Sequence, residues 1–253
     1  MSGAPSTPVL QPADDALAAA GVPDVDARQT GICAACPGVL LQGEHCLAHL
    51  TSEEFHDAVG RLREGAPLDA RNVEVGADRI AELLEALVID DIPRIASADF
   101  RDATFLDDLT IIDATFSGEA RFDRATFDGD VVFETVIFED DAVFDDAIFQ
   151  RDVVVYGSSF VGHSLFCGSE FRGDARFDMT TFAAHAVFDG ARFCGRAAFE
   201  GARFRTTAIF DDAMFGQGVL LSAAALARDF AFRPAIVPCG RDPWVRAPAE
   251  ACG

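Results

Sequence analysis

Residues 120–149 read ARFDRATFDGDVVFETVIFEDDAVFDDAIF, with phenylalanine at Phe122, Phe127, Phe133, Phe138, Phe144 and Phe149. The steps alternate between five and six residues. Working outward, the same rhythm places a bulky apolar residue at every step from Phe100 to Phe232. Only Ile111, Val155, Leu221 and Leu226 replace phenylalanine on this grid. Two residues before most of these positions the side chain is small, as at Ala103, Ala114, Ala125, Ala147, Ser158, Ser169, Thr180 and Ala202. In extended chain, residues two apart share a face. Each unit therefore turns one large and one small side chain inward, with Asp, Arg, Gly, Thr and Glu between them. An average step of 5.5 fits neither an α-helix nor a heptad. A short period sustained over this length marks a solenoid, and the alternation points to a parallel β-helix whose coils stack through backbone hydrogen bonds.

The units Ala103-Thr104-Phe105, Ala125-Thr126-Phe127, Ala147-Ile148-Phe149, Ala191-Arg192-Phe193 and Ala202-Arg203-Phe204 resemble the pentapeptide-repeat motif A-(D/N)-(L/F)-x-x over about half of the chain. The resemblance implies a mainly β fold, a right-handed quadrilateral parallel β-helix with four faces per coil. Steps of five, six, five and six make a 22-residue coil, so Phe122, Phe144, Phe166, Phe188 and Phe210 fall in one inner column, and Phe127, Phe149, Phe171, Phe193 and Phe215 in the next. The extra residue in alternate faces departs from the family pattern and is expected to widen two corners. Val153 to Tyr156 marks a local change, a looser coil or a bend.

The organisation read from the chain is a leader at 1–30, a Cys/His and helical cap at 31–95, the β-helix at 96–232 and a Pro-containing tail at 233–253 that folds back or dimerises. Cys33, Cys36, Cys46 and His49 give C-x2-C-x9-C-x2-H. Zinc takes four tetrahedral sulfur or nitrogen ligands, and a pair two residues apart lies on one tight turn. A structural zinc knuckle is the favoured reading, with His45 as a spare fourth ligand and a Cys-x-x-Cys redox pair as the alternative. Thr51 to Glu54 reads as a capping box opening a helix through Phe55, Val59 and Leu62. A link from Leu68 to Gly76 leads to a second helix, Ala77 to Val88, striped by Ile80, Leu83, Leu84, Leu87 and Val88. These helices are expected to plug the first coil, since a bare solenoid end exposes backbone and apolar side chains. The module at 33–88 loosely resembles the leader of some actinobacterial pentapeptide-repeat proteins.

The 253 residues carry 42 acids and 20 bases, a net charge of −22, and every base is arginine. Such acidity disfavours direct contact with nucleic-acid phosphate and favours a partner with a basic surface. The charge is uneven. Residues 99–152 hold sixteen acids and four arginines, whereas 153–232 hold eight and seven. Asp123, Glu134, Glu139, Asp140, Asp141, Asp145 and Asp146 are the candidate partner contacts. No stretch suits a membrane helix or a signal peptide, so a cytoplasmic protein is expected, with its seven cysteines as thiols or metal ligands. Cys167 and Cys194 suggest no site. His163 and His185 stand one coil apart, as exposed corner residues or a second metal or pH-sensitive site.

No nucleotide-binding glycine loop, nucleophile elbow or H-E-x-x-H is present, so the expected function is non-enzymatic. The resemblance implies an acidic rod that mimics DNA and binds DNA gyrase or another type II topoisomerase, modulating or protecting it. The alternative is a protein–protein interaction scaffold without a topoisomerase role.

Overall fold

The computed structural model describes residues 31–225 and the backbone of the strand Phe230–Ala231. The leader at 1–30, the grid positions Leu226 and Phe232 and the tail at 233–253 lie outside the described residues. The chain winds into a parallel β-solenoid of about six coils, its four sheets of eight, seven, six and seven strands forming the four faces. The coil length is 22 residues: Ala120 pairs with Ala142, Phe127 with Phe149, Val131 with Val153, and Ile137 with Ser159, all in parallel register.

Every bulky grid position from Phe100 to Phe215 is buried, as are the small residues two before them. The expected columns form. Phe122, Phe144, Phe166, Phe188 and Phe210 stack with centroids 4.8–4.9 Å apart. Phe127, Phe149, Phe171, Phe193 and Phe215 stack at 4.7–4.9 Å. That spacing matches the strand separation of about 4.8 Å, so backbone ladder and ring stack impose the same repeat. Where Ser or Thr takes the small position its hydroxyl is satisfied: Ser158 donates to Phe133 O, Ser169 to Phe144 O and Thr180 to Val155 O.

The corners explain the five-and-six rhythm. The five-residue steps turn tightly, with a backbone bond such as Ala125 N to Phe122 O at 3.0 Å. Their third residue is left-handed: Asp102, Asp113, Arg124, Thr135, Asp146 and their equivalents have φ between 52° and 66°. The six-residue steps take the wider corners. The added residue leaves an N–H without a carbonyl from the adjoining coil, and an aspartate answers it. Asp108 Oδ1 accepts from Asp130 N, Asp130 from Asp152 N, Asp152 from Asp174 N, and Asp174 from Arg196 N, at 2.8–3.1 Å. Val153–Tyr156 is neither loose nor bent. It is a regular strand paired with Val131–Glu134 on one side and, through Val153 and Val154, with Ala175–Arg176 on the other. Near its C-terminal end the solenoid keeps its pairing. Ala225 bridges Arg203, and Phe230–Ala231 pair with Ala208–Ile209.

The solenoid begins earlier than the phenylalanine grid. Leu68–Asp69 pair with Ala98–Asp99 and Glu74–Val75 with Thr104–Phe105, so the expected link is two faces of a first coil. Its next face is replaced by α2 (Ala77–Ala86), followed by an antiparallel hairpin, Val88–Ile89 on Ile92–Ile95. Asp90 and Asp91, at φ 52° and 65°, make its tight turn. The second helix is thus shorter than the stripe suggested, and Val88 is an exposed strand residue. α1 (Ser52–Arg63) starts with the expected capping box on Thr51 and Glu54 and buries Phe55, Val59 and Leu62. Arg63 Nε donates to Ala86 O at 2.8 Å, tying α1 to the C-terminus of α2. No helix among the described residues is long and apolar enough to cross a membrane.

Candidate metal centre and acidic surface

Cys33 and Cys36 lie on one tight turn, and Cys46 caps the single helical turn Leu47–His49, which ends on His49. The ligand atoms of all four lie within 4.8 Å of one another. Cys36 Sγ is 3.5 Å from Cys46 Sγ, and His49 Nδ1 is 3.3 Å from Cys46 Sγ and 3.7 Å from Cys33 Sγ. A small tetrahedral ion with bonds of about 2.0–2.3 Å sets its ligands about 3.5–3.8 Å apart. The group can hold a metal ion. Backbone N–H groups of Ala35 and Gly38 point at Cys33 Sγ and Cys36 Sγ, at 3.4 and 3.3 Å, as thiolate acceptors require. Burial pushes the Cys46 thiol up to about 12 when no cation is nearby. A bound cation reverses that preference by stabilising the thiolate.

His45 is not part of the group. Its Nδ1 lies 2.9–3.0 Å from both oxygens of Glu54, which raises the imidazole's pKa. Glu54 is held at about 2, first by the Thr51 backbone N–H and then by His45. The capping box of α1 thus also fixes the loop that carries Cys46. Gly43, at φ 58°, makes room, because a Cβ there would run into the Glu54 carboxylate. The knuckle docks on the first coil, where Val39 N donates to Arg71 O at 3.0 Å, and on α1, whose Arg61 Nη2 donates to Leu41 O at 2.6 Å.

The seven candidate acids stand in different settings. Asp123 is buried and paired with Arg121 at 2.9 Å. Asp141 Oδ1 accepts from His163 N at 2.7 Å, and Asp145 Oδ1 from Cys167 N at 2.8 Å. Glu134, Glu139, Asp140 and Asp146 are exposed. Sequence reasoning missed the aspartate ladder at the wide corners; its signal was Asp at 108, 130, 152 and 174, one coil apart. His163 and His185 stack at 4.9 Å as exposed corner residues. Cys167 and Cys194 are each disulfide-bonded, so the expectation of thiols does not hold for them.

Burial pushes the Asp145 carboxyl up to about 6, and Asp123 and Asp146 add to the shift against the Cys167 N–H. Its protonated form is favoured by folding. The associated stability is full below the unfolded value of about 4 and is lost as pH rises through about 6. Asp145→Asn keeps an oxygen for the Cys167 N–H and removes the charge. Thermal melts from pH 4 to 7 should show a flatter profile and a higher melting temperature near neutrality than the wild type. An unchanged profile would mean that Asp145 titrates normally.

A family model described as pentapeptide repeats (nine copies) matches residues 96–137 and 166–214. Between the two matches the same 22-residue register runs on without interruption. The matched residues carry pentapeptide repeats, and they lie on a parallel β-solenoid. No curated protein and no solved structure matches the chain. Ahead of the matched residues stand the first coil, into which α2 is inserted, and the Cys/His knuckle docked onto it.

Proposed function

We propose that the protein is a non-enzymatic interaction scaffold, an acidic rod with a zinc-bearing cap that binds a protein partner through a basic surface of that partner. The observation that carries this reading is the net charge of −12 concentrated on residues 99–152 and displayed by rigid, stacked coils. The Cys33, Cys36, Cys46 and His49 set suits zinc in a structural role, because four protein ligands leave no open position for water or substrate.

Charge density favours a second reading, a DNA mimic directed at DNA gyrase or another type II topoisomerase. Residues 99–152 span about 12 Å at about 4.8 Å per coil, roughly one net charge per ångström, against one per about 1.7 Å for duplex DNA. The same arithmetic ranks it second, since about 12 Å is the rise of only three to four base pairs.

Gyrase supercoiling in the presence of the wild type, and of a variant carrying Glu134→Gln, Glu139→Gln, Asp140→Asn and Asp146→Asn, separates the two. Asp141 and Asp145 are left intact because they hold backbone N–H groups of the adjoining coil, and Asn at position 140 keeps an oxygen for the Asp141 N–H. Inhibition that the variant loses supports the mimic. Unchanged supercoiling, together with salt-sensitive crosslinking to a basic protein that the variant loses, supports the scaffold. A wild type that makes no salt-sensitive complex overturns both.

A further inference from the structure

The acidic rod has two unlike sides. Arg101, Arg121, Arg124 and Arg151 all stand on the side made by residues 98–108, 120–130 and 142–152. There three of the acids are paired with arginine: Arg101 binds Asp99 at 2.6 Å, Arg121 binds Asp123 at 2.9 Å, and Arg124 binds Asp102 at 2.7 Å. The opposite side, made by residues 109–119, 131–141 and 153–163, holds Asp113, Glu119, Glu134, Glu139, Asp140 and Asp141, with no arginine or lysine. Among the described residues Asp113, Glu134 and Glu139 make no ion pair.

This second side also carries apolar side chains where a solvated face would be polar. Ile112, Ile137, Tyr156 and Val161 are 48%, 40%, 49% and 48% exposed. The sheet register sets Ile112, Glu134 and Tyr156 in one outer column, about 4.8 Å apart. Ile137 follows around the left-handed corner at Thr135, with Glu139 two residues beyond it. Apolar and acidic groups thus alternate within the outer columns, Ile112 with Glu134 and Tyr156 in one, and Glu139 with Val161 one coil on in another, on two adjacent faces of three coils. Clustered exposed apolar groups rimmed by charge mark interaction surfaces, and the rim here has one sign.

We propose that this side, centred on Ile112, Glu134, Ile137, Glu139, Tyr156 and Val161, is a docking surface for a cationic amphipathic segment of a partner protein. Its apolar stripe would cover the exposed Ile, Val and Tyr side chains, and its flanking Arg or Lys would meet Glu134, Glu139 and Asp113. The occupant is set by charge complementarity: an acidic segment is repelled, and a cation without an apolar stripe leaves the exposed Ile, Val and Tyr side chains in water. The proposal rests on the scaffold reading and specifies what the partner presents.

The test uses the full chain and two synthetic helical peptides, one with a leucine stripe flanked by arginines and one with the leucines changed to glutamine. Calorimetry is expected to show the leucine peptide binding at least about tenfold more tightly than its glutamine counterpart, since each leucine that docks removes apolar area from water. Ile137→Ser with Val161→Ser, and separately Glu134→Gln with Glu139→Gln, should each weaken it about tenfold. Asp128→Asn, on the arginine side, should leave it unchanged. All five positions are exposed, and coincident melting curves show that the variants fold. Equal binding of the two peptides, equal loss in the arginine-side variant, or no binding at all overturns the docking surface. None of these results bears on whether crosslinking yields a basic partner, which tests the scaffold itself.

Discussion

Truncating Phe166 to alanine should destabilise the rod by about 3–5 kcal/mol, the range for a large aromatic lost from a core that cannot collapse around the gap. Phe166 touches five other rings. It stacks on Phe144 and Phe188 at 4.9 and 4.8 Å, tilts against Phe171, and meets Phe160 and Phe177 edge-on. Its neighbours are held by the backbone ladder of their own coils, so the void cannot close without breaking strand register. A solenoid's stability is a sum over coils and their interfaces, and Phe166 sits near the middle, where loss of two interfaces separates one half from the other. Urea unfolding is the measurement. The variant should show a lower midpoint and a broadened or two-step transition. Leu106→Ala, at a position 48% exposed, should move the midpoint by less than about 0.5 kcal/mol. Similar effects at the two positions would mean that the phenylalanine columns are not what holds the coils together.

Metal removal should have the second large effect, and a local one. With zinc bound as proposed, elemental analysis gives about one ion per chain. A strong chelator, or Cys46→Ser, then frees residues 31–50 from the first coil. Binding free energies for structural zinc reach about 10–16 kcal/mol in isolated peptides and act directly on folding. Here α1 retains its own anchors in Phe55, Val59 and Leu62, so the solenoid should keep its β-sheet circular dichroism. Proteolysis should become fast within the knuckle alone. Metal well below one equivalent, with unchanged proteolysis in the Cys46→Ser protein, would leave the four residues as a thiol and imidazole cluster without a structural ion. His45→Ala separates the ligand set from its support: it breaks the bond to Glu54 and should leave one ion per chain in place.

The phenylalanine grid made the solenoid legible because every bulky residue faces the same way. A period in the sequence is then a period in space, and the columns of Phe122 and Phe127 follow from arithmetic alone. The ligand set was legible for a similar reason, since two pairs at two-residue spacing each fit one turn. His45 against His49 was not. The choice depends on Glu54, nine residues beyond His45 in sequence and brought back by the capping box of α1. The first coil was hidden twice over. Leu68 to Val75 carry no phenylalanine, and the inserted α2 lengthens the step between paired residues from 22 to 30, as in Leu68 with Ala98. The acids were misleading in another way. Asp108, Asp130, Asp141, Asp145, Asp152 and Asp174 look like surface charge in the sequence, yet each accepts a backbone N–H of the adjoining coil. Which carboxylates stay free is decided by corner geometry, and that is not written in residue type.

The left-handed corners recur every eleven residues, at Asp102, Asp113, Arg124, Thr135 and Asp146, half the 22-residue spacing of the ladder. That ratio governs how such a gene can change length. Duplicating one whole coil adds about 4.8 Å and returns every ring, ladder aspartate and outward side chain to its own column. Duplicating half a coil also keeps the five-and-six rhythm, so the interior still closes. Everything beyond the insertion is carried half a turn around the axis, however, and the arginine side then continues where the acidic side had been. The rod can therefore re-aim its surfaces by lineage, through insertions and deletions that its core scarcely registers.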